Sequence, residues 1–233
     1  MSAPVGYDNY LNFINCQLQP PGKAVARKAN AAVTISRQSR CGAHVVAEKL
    51  AQYLQSHSPK DAPPWTVFDR NLMEKVLADH HLPEKIARLM PEDRASKLDD
   101  IMYELFDMRP DSETLIEQTA ETILHLAELG NVILLGRGGN VITARLPGVV
   151  HVRLIASLEK RVEHMQQYEE LTRKASRERI QREDLGRQRY FKKYFGKDIE
   201  DPLLYHLVIN TDMVSLDAAA RLIGDTVLNL KPK

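Results

Sequence analysis

Residues 31–42 read AAVTISRQSRCG, a short apolar run followed by a polar segment that ends in glycine. The run at residues 31–35 is rich in β-branched side chains and predicts a buried strand that ends at Ser36. Beyond Gly42, apolar side chains recur at the spacing of an amphipathic helix. The apolar positions are Val45, Val46, Leu50 and Leu54. The stretch therefore predicts a strand, a polar turn and a helix.

Further apolar runs of strand length alternate with helical patterns along the rest of the chain. They lie at residues 65–68, 132–135, 149–155 and 207–211. Strands that are apolar throughout, rather than at alternate positions, are typical of a parallel sheet covered on both faces. We therefore predict a doubly wound, mostly parallel five-stranded α/β sheet, with ligands beyond the carboxyl ends of its strands.

The pattern divides the chain into an arm and one domain. Residues 1–30 are mixed in character and predict an arm outside the core, and residues 31–233 form the domain. Within the domain, residues 70–129 are helical almost throughout, with prolines that mark first turns and breaks. A charged helical segment at residues 161–196 follows the fourth strand, and an amphipathic helix at residues 216–230 closes the chain.

The composition argues against several classes of function. The 233 residues carry a formal net charge of +1, so no global field attracts nucleic acid or a membrane surface. Cys16 and Cys41 form no metal-ligand or redox pair by spacing, and no metal site is predicted. No run approaches the roughly 20 apolar residues that span a bilayer, and no secretory signal is seen. We expect a reduced, cytoplasmic protein with no nucleic-acid or membrane partner.

The turn between the first strand and the first helix is a candidate anion site. Backbone N–H groups at a helix start have no partner within the helix and lie at its positive end. Arg37, Arg40 and His44 add side-chain donors. The segment has one glycine and lacks the lysine of a full phosphate loop, so an ordinary polar connection is an equally good interpretation.

Two further groups follow predicted strands. Gly136-Arg137-Gly138 comes directly after the third strand, where glycines let a ligand approach the backbone and the arginine offers a planar fork for phosphate. A tight turn with a surface arginine is the alternative. Asp69 follows the second strand and either orients a substrate, binds Mg²⁺ through water, or caps the helix that begins at Arg70.

The charged helical segment is a candidate lid over a phosphate site. Arg182 shares a helix face with another arginine three residues earlier. Asp184 precedes Arg187 by three residues and can position it, and Gly186 and Gly196 bracket the segment. A mobile arginine-bearing lid excludes water and neutralises the charge that develops in phosphoryl transfer. The alternative is an ordinary solvated charged face.

Taken together, these segments resemble the cytidylate kinase-like family of P-loop proteins over residues 32–230. The similarity lies in the order and spacing of short motifs. They are Thr34-Ile35-Ser36-Arg37-Gln38 with Gly42, Phe68-Asp69-Arg70-Asn71-Leu72, VILLGRG at 132–138, HVRLIA at 151–156, Asp184 with Arg187 and Tyr190, and Asp201-Pro202 with YHLVINT at 205–211. The resemblance implies a nucleoside-monophosphate kinase-like fold with a helical substrate-binding insert and a helical lid. It also implies ATP-dependent phosphorylation of a nucleoside monophosphate, with Mg²⁺, in the cytoplasm.

The resemblance implies roles for individual residues. The ATP phosphates would lie on Ser36, Arg37, Gln38, Ser39, Arg40, Cys41, Gly42, Ala43 and His44. The acceptor monophosphate would lie on the insert at residues 70–129 and on Asp69, Arg70, Gly136, Arg137 and Gly138. Arg182 and Arg187 would contact phosphates across the reaction centre, with Asp184 beside them. No general base is needed, because phosphoryl transfer depends mainly on positioning and charge neutralisation.

Two functions of different classes remain open on the sequence. One is an ATP-dependent phosphotransferase acting on a cytidylate-like monophosphate or a related small phosphate acceptor. The other is a catalytically impaired protein that kept the fold and senses a nucleotide or another anion. The missing loop lysine favours the second, and the lid arginines favour the first. In both, the partner is a small nucleotide or anion, and the chain is a monomer or a homodimer.

Overall fold

The computed structural model describes residues 31–69, 101–102 and 114–230. Its strands are β1 (Ala32–Arg37), β2 (Thr66–Phe68), β3 (Val132–Leu135), β4 (Val149–Ile155) and β5 (Leu207–Asn210). Its helices are α1 (Ala43–Ser56), α2 (Thr114–Leu129), α3 (Gly139–Ile142), α4 (Leu158–Tyr168), α5 (Arg173–Phe195) and α6 (Leu216–Asn229), with a 3₁₀ turn at Pro202–Leu204. The predicted arm and most of the predicted insert lie outside the described residues. Within the described ranges, no helix has both the length and the apolar character to cross a membrane.

The strands form one parallel sheet in the order β2-β3-β1-β4-β5. This confirms the predicted five-stranded parallel α/β sheet. β1 lies at the centre, where Ala32 is in register with Val132 of β3 and with Val149 of β4. The chain leaves β1 toward β2 on one side and later crosses to β4 on the other. The carboxyl end of β1 is therefore where the strand order reverses, which is the place at which such sheets bind ligands.

β1 is longer at its carboxyl end than the sequence predicts. The predicted strand ends at Ser36, whereas β1 continues to Arg37, because Arg37 pairs with Leu154 of β4. β5 instead ends at Asn210, one residue earlier than predicted. The extension of β1 holds Ser36 and Arg37 in a fixed orientation at the edge of the sheet.

Helices cover both faces of the sheet. Because alternate side chains of a strand point to opposite faces, Val33 and Ile35 pack with α1 and α6, while Ala32 packs with α2 and α5. All three side chains are completely buried. The parallel sheet thus has an apolar layer on each side, as its apolar strands predict.

α4 and α5 form the charged segment recognised in the sequence. Ser157 and Thr172 cap their N-termini, each accepting a hydrogen bond from a backbone N–H three residues further on. Gly196 ends α5 in the left-handed conformation. Gly186, in contrast to its predicted place at a boundary, lies inside α5. A single interior glycine costs only about 1 kcal/mol, which a long helix with tertiary contacts tolerates.

α6 packs closely against α1 at Gly224. A Cβ at this position would lie 2.3 Å from Cδ1 of Tyr53 and 3.5 Å from Cδ1 of Leu50. The Tyr53 hydroxyl donates to Asp225 Oδ1 at 2.6 Å, which holds the ring in place. The absence of a side chain at Gly224 therefore lets the two helices approach. At Gly186, an added Cβ would meet no atom within 4 Å.

We expect opposite effects from the same substitution at these two glycines. Gly186→Ala should raise the free energy of unfolding by about 0.5–1 kcal/mol, because alanine loses less backbone entropy in a helix. Gly224→Ala should lower it by about 1–3 kcal/mol through overpacking against Tyr53. Urea denaturation of both variants beside the wild type measures the shifts. Shifts of the same sign would contradict this account of the α1–α6 contact.

Candidate active site

A cavity of about 510 Å³ opens at the carboxyl edge of the sheet, between the ends of β1 and β3 and helix α5. Its polar walls are Ser36 and Arg37 after β1, Arg137 and Asn140 after β3, and Glu183, Arg187 and Tyr190 on α5. The volume falls in the range of small-molecule sites. We call this space the arginine cavity.

The side chains of Arg37, Arg137 and Arg187 converge on the arginine cavity. Burial, followed by the nearby charges of Arg187 and Arg137, lowers the pKa of Arg37 to about 10. The Arg37 guanidinium therefore remains charged at neutral pH, although two like charges repel it. An anion bound among the three would relieve this repulsion, so the cavity favours a negatively charged ligand.

Glycines after β3 make room for this arrangement. Gly136 and Gly138 have φ values of +80° and +74°, in the left-handed region that favours glycine. A Cβ at Gly136 would lie 1.8 Å from Nη1 of Arg37, and one at Gly138 would lie 2.1 Å from Cε2 of Phe195. Both positions therefore require glycine for conformation and for space, and Gly136 lets Arg37 lie against the β3 loop.

The β1–α1 loop, residues 38–42, already holds carboxylate oxygens. The backbone N–H of Ser39 donates to Asp184 Oδ1 at 2.7 Å, and the Ser39 hydroxyl donates to Glu183 Oε2 at 2.5 Å. Because α1 begins at Ala43, the N–H groups of its first turn have no acceptor within the helix. The loop therefore presents donors to an anion, and α5 supplies that anion here.

Arg40 and Cys41 of the loop have partners of their own. The Arg40 guanidinium forms an ion pair with Glu169, just beyond α4. The Cys41 thiol donates to the carbonyl oxygen of Leu154 at 3.6 Å, and burial raises its pKa to about 11. Cys41 is therefore a neutral thiol at physiological pH and a poor nucleophile.

Asp184 joins the loop to α4 and α5. Its Oδ1 accepts from Ser39 and from Arg187 Nη1 at 3.0 Å, and its Oδ2 accepts from Arg161 Nη1 at 2.5 Å. Arg161 is 7% exposed and also donates to the Ser39 carbonyl at 3.3 Å.

Glu183 is subject to opposing effects on its pKa. Burial acts to raise the pKa, but hydrogen bonds from Ser39 and Arg179 outweigh burial, and the pKa is lowered. Glu183 is therefore ionised at neutral pH.

A polar layer lies inside the sheet next to the cavity. Thr34 and Ser36 of β1 are in register with His151 and Arg153 of β4. The Thr34 hydroxyl lies 2.9 Å from His151 Nδ1, and Arg153 Nη1 donates to Ser36 Oγ at 2.9 Å. All four residues are buried. Buried polar groups destabilise a fold unless they are hydrogen-bonded, so this side-by-side pairing is what makes the layer tolerable.

The structure brings many of the predicted site residues together. Those that line the arginine cavity are Ser36, Arg37, Gly136, Arg137, Gly138 and Arg187. Ser39 and Asp184 meet at the loop. The charge of Asp69 acts on Arg37 in the opposite sense to the two arginines, so this carboxylate is part of the same electrostatic environment. Gln38 accepts from the backbone N–H of Ala156 at 3.0 Å and so ties the loop to the end of β4.

Other predicted residues lie away from the cavity or outside the described residues. Arg182 and His44 are exposed, and neither is among the residues that line the arginine cavity. Gly42 caps α1 in the left-handed conformation, and Ala43 is its first residue. Arg70 lies outside the described residues. The roles that the sequence assigns to these residues stay predictions.

Sequence reasoning missed three residues that distant parts of the chain bring to the site. They are Arg153, Arg161 and Glu183. A signal existed for Arg153, because it and His151 occupy alternate positions of β4 and so share one face. None marked Arg161, since a helical arginine is usually exposed.

Comparison with known proteins finds similar chains. The family model described as the cytidylate kinase-like family matches residues 32–213. A cytidylate kinase from Methanopyrus kandleri is 30% identical over 160 residues, which cover 65% of this chain and 81% of that protein. The crystal structure of an uncharacterized protein from Eubacterium ventriosum aligns with a TM-score of 0.56 and 17% identity, covering 85% of this chain and 98% of the other. That last likeness supports the fold alone.

His151 gives the stability of the protein a specific pH dependence. Burial, and then His206, lowers the pKa of His151 from 6.5 to about 4. Between these values the unfolded chain binds a proton that the folded chain does not, so stability should fall by at most about 1.4 kcal/mol per pH unit as pH falls. His151→Gln should remove this component, whereas His57→Gln, at an exposed ring, should retain it. Urea denaturation across this pH window measures the slopes, and equal slopes for wild type and His151→Gln would contradict the assignment.

Proposed function

Because the chain belongs to the cytidylate kinase-like family, we propose that it transfers the γ-phosphoryl group of ATP to a cytidylate-like nucleoside monophosphate or a related small phosphate acceptor. The observation that carries the proposal is the convergence of Arg37, Arg137 and Arg187 on one cavity beside a loop of backbone donors. A phosphotransferase needs neighbouring sites for two phosphate-bearing ligands, and the cavity and the loop are suited to them.

The acceptor phosphate would bind in the arginine cavity. Arginine presents a planar fork that matches phosphate oxygens, often through two hydrogen bonds at once. Arg37 and Arg137 would contact the phosphate from the sheet, and Arg187 from α5. The nucleoside would extend toward the insert predicted at residues 70–129.

The ATP phosphates would bind at the β1–α1 loop. The Ser39 N–H, the Ser39 hydroxyl and the first-turn N–H groups of α1 would be the donors. Asp184 and Glu183 accept from the same Ser39 groups, so α5 would have to withdraw before a phosphate took their place. Arg187 lies on the same helix and pairs with both carboxylates, so it would move together with them. This is the behaviour expected of a lid at residues 161–196.

The chemical step is an exchange of P–O bonds. An oxygen of the acceptor phosphate attacks the γ-phosphorus, the bond to the oxygen that bridges to the β-phosphate breaks, and ADP leaves. Arg187 and the two arginines at the sheet edge would neutralise the charge spread over the transferred group. The attacking oxygen of an ionised phosphate carries no proton, so no general base is required.

The family implies Mg²⁺, and the donor groups near the loop fit an ion that arrives with ATP. Mg²⁺ in such sites binds mainly to substrate phosphates and water, with one or two protein oxygens. Within residues 31–69 and 114–230, no cluster of three or more His, Cys, Asp or Glu side chains could hold a metal ion by itself. The Ser39 hydroxyl and the Asp69 carboxylate would hold the ion. When bound, Mg²⁺ neutralises charge on the β- and γ-phosphates.

A catalytically impaired sensor of nucleotides or other anions is the second candidate. The loop lacks a lysine, and its Ser39 donors are engaged by α5 carboxylates. Such a chain would bind an anion in the arginine cavity, but its loop would never exchange the α5 carboxylates for ATP phosphates. It would keep the fold and the cavity and have no turnover.

The two candidates differ in an ATP consumption assay with Mg²⁺. The kinase should consume ATP in the presence of one or more ribonucleoside or deoxyribonucleoside monophosphates, with the cytidine forms preferred, and release ADP and the nucleoside diphosphate. The sensor should bind ATP or a monophosphate in calorimetry and show no turnover. A protein that neither binds nor turns over any of these would contradict both candidates.

Arg187→Ala separates a role in transfer from a role in folding. It should lower turnover by at least about a hundredfold, since it removes a charge that neutralises the transferred group. Stability should fall by less than about 1 kcal/mol, because the ion pairs of Arg187 are partly exposed. Arg189→Ala, at an exposed position of the same helix, is the matched control and should change neither. Steady-state kinetics and urea denaturation give the comparison, and a large loss of stability would mark Arg187 as structural.

A further inference from the structure

Arg153 is a buried charge next to the arginine cavity. It lies on β4 in register with Ser36 of β1 and is 3% exposed. Burial of a guanidinium is costly unless partners match its charge and its donors, and of the Arg153 nitrogens Nε has no hydrogen-bond partner among the described residues. The partners of Arg153 therefore indicate its role.

The Arg153 fork is divided between two acceptors. Nη1 donates to Ser36 Oγ at 2.9 Å, and Nη2 donates to Glu200 Oε1 at 2.5 Å. The guanidinium carbon also lies 5.8 Å from the centre of the Tyr205 ring. The Glu200 side chain is 42% exposed and anchors the outer end of the fork, which holds the inner end against Ser36. A lysine, with its single nitrogen, would not reproduce this pair of contacts.

These contacts determine what the Ser36 hydroxyl can do. Because a guanidinium only donates, Ser36 Oγ accepts from Arg153 and keeps its own proton for another partner. Tyr205 is a weak partner, since its hydroxyl lies 3.4 Å from Ser36 Oγ and donates to the Ile199 carbonyl at 2.8 Å. Ser36 also lines the arginine cavity. An anionic oxygen bound there would be a stronger acceptor than Tyr205.

We infer that Arg153 is a positioning residue that sets the Ser36 hydroxyl as a hydrogen-bond donor to the acceptor phosphate in the arginine cavity. The inference rests on the proposed function, because the acceptor phosphate is the group that Ser36 binds. It moves Ser36 from the ATP side, where the sequence resemblance puts it, to the acceptor side. The adjacent guanidinium also polarises the hydroxyl and strengthens its donation.

The test is a double-mutant cycle between Ser36→Ala and Arg153→Lys. Calorimetric titration with CMP and with inorganic phosphate should show about tenfold weaker binding for each single variant, as expected for a hydrogen bond to a charged group. The KM for the acceptor should rise while the KM for ATP stays unchanged. The double variant should bind no more weakly than Ser36→Ala, because both changes remove the same interaction.

Two further variants control the cycle. Arg177→Lys makes the same chemical change in an exposed ion pair of α5 and should leave binding unchanged. Glu200→Gln loosens only the outer anchor at a partly exposed position, so it tests the same link if Arg153→Lys does not fold. It should weaken phosphate binding by about two- to threefold, and not at all when Ser36 is replaced by alanine. Thermal denaturation of every variant checks that it is folded.

The outcomes distinguish the inference from the kinase proposal. Unchanged phosphate binding in Ser36→Ala, or additive losses in the double variant, would overturn the inference and leave the kinase proposal intact. Non-additive losses of binding without any turnover by the wild type would sink the kinase proposal and support the inference. A wild type that binds neither CMP nor phosphate would overturn both.

Discussion

The carboxylate of Asp184 accepts hydrogen bonds from the β1–α1 loop, from α4 and from α5, through Ser39, Arg161 and Arg187. A carboxylate has acceptor capacity for all of them. If α5 moved away and nothing replaced Asp184, the buried donors of Ser39 and Arg161 would lose their partner, which is unfavourable. The loop therefore requires an anion at this point. The α5 carboxylate meets that requirement in the described conformation, and a phosphate would meet it in a nucleotide complex.

The arginine cavity is under the opposite electrostatic condition. Arg37, Arg137 and Arg187 bring like charges together where Glu183 supplies a carboxylate at the same wall. Strand pairing holds Arg37 in place, since β1 is paired with β4 as far as Arg37 and with β3 as far as Ile35. The fold thus keeps repelling groups close together with rigid backbone. Ligand charge, rather than a change in the sheet, would relieve the repulsion, which is the preorganisation that charge-stabilising sites rely on.

Much of the fold could be predicted from the sequence, because β3 is an unbroken apolar run and β4 is mostly apolar, so that their bounds depend on local pattern. The end of β1 could not, since Arg37 continues the strand only through pairing with distant β4. Site residues that follow strands, such as Arg137, were predictable from their position at the sheet edge. Arg153, Arg161 and Glu183 were not predicted, because their roles come from partners more than twenty residues away in the chain. Arg182 shows the limit of helical spacing, which identifies a face but not the neighbour of that face.

The close fit between Arg37 and Gly136 has a mechanical consequence. Because the guanidinium of Arg37 fills the space that a side chain at Gly136 would need, the ends of β1 and β3 form one rigid wall of the cavity. On the facing side of the cavity, α5 is joined to the loop by the hydrogen bonds from Ser39 to Asp184 and Glu183 rather than by strand pairing. Opening of the cavity should therefore come from an outward movement of α5. The rigid wall at the ends of β1 and β3 would keep its contacts with the ligand throughout.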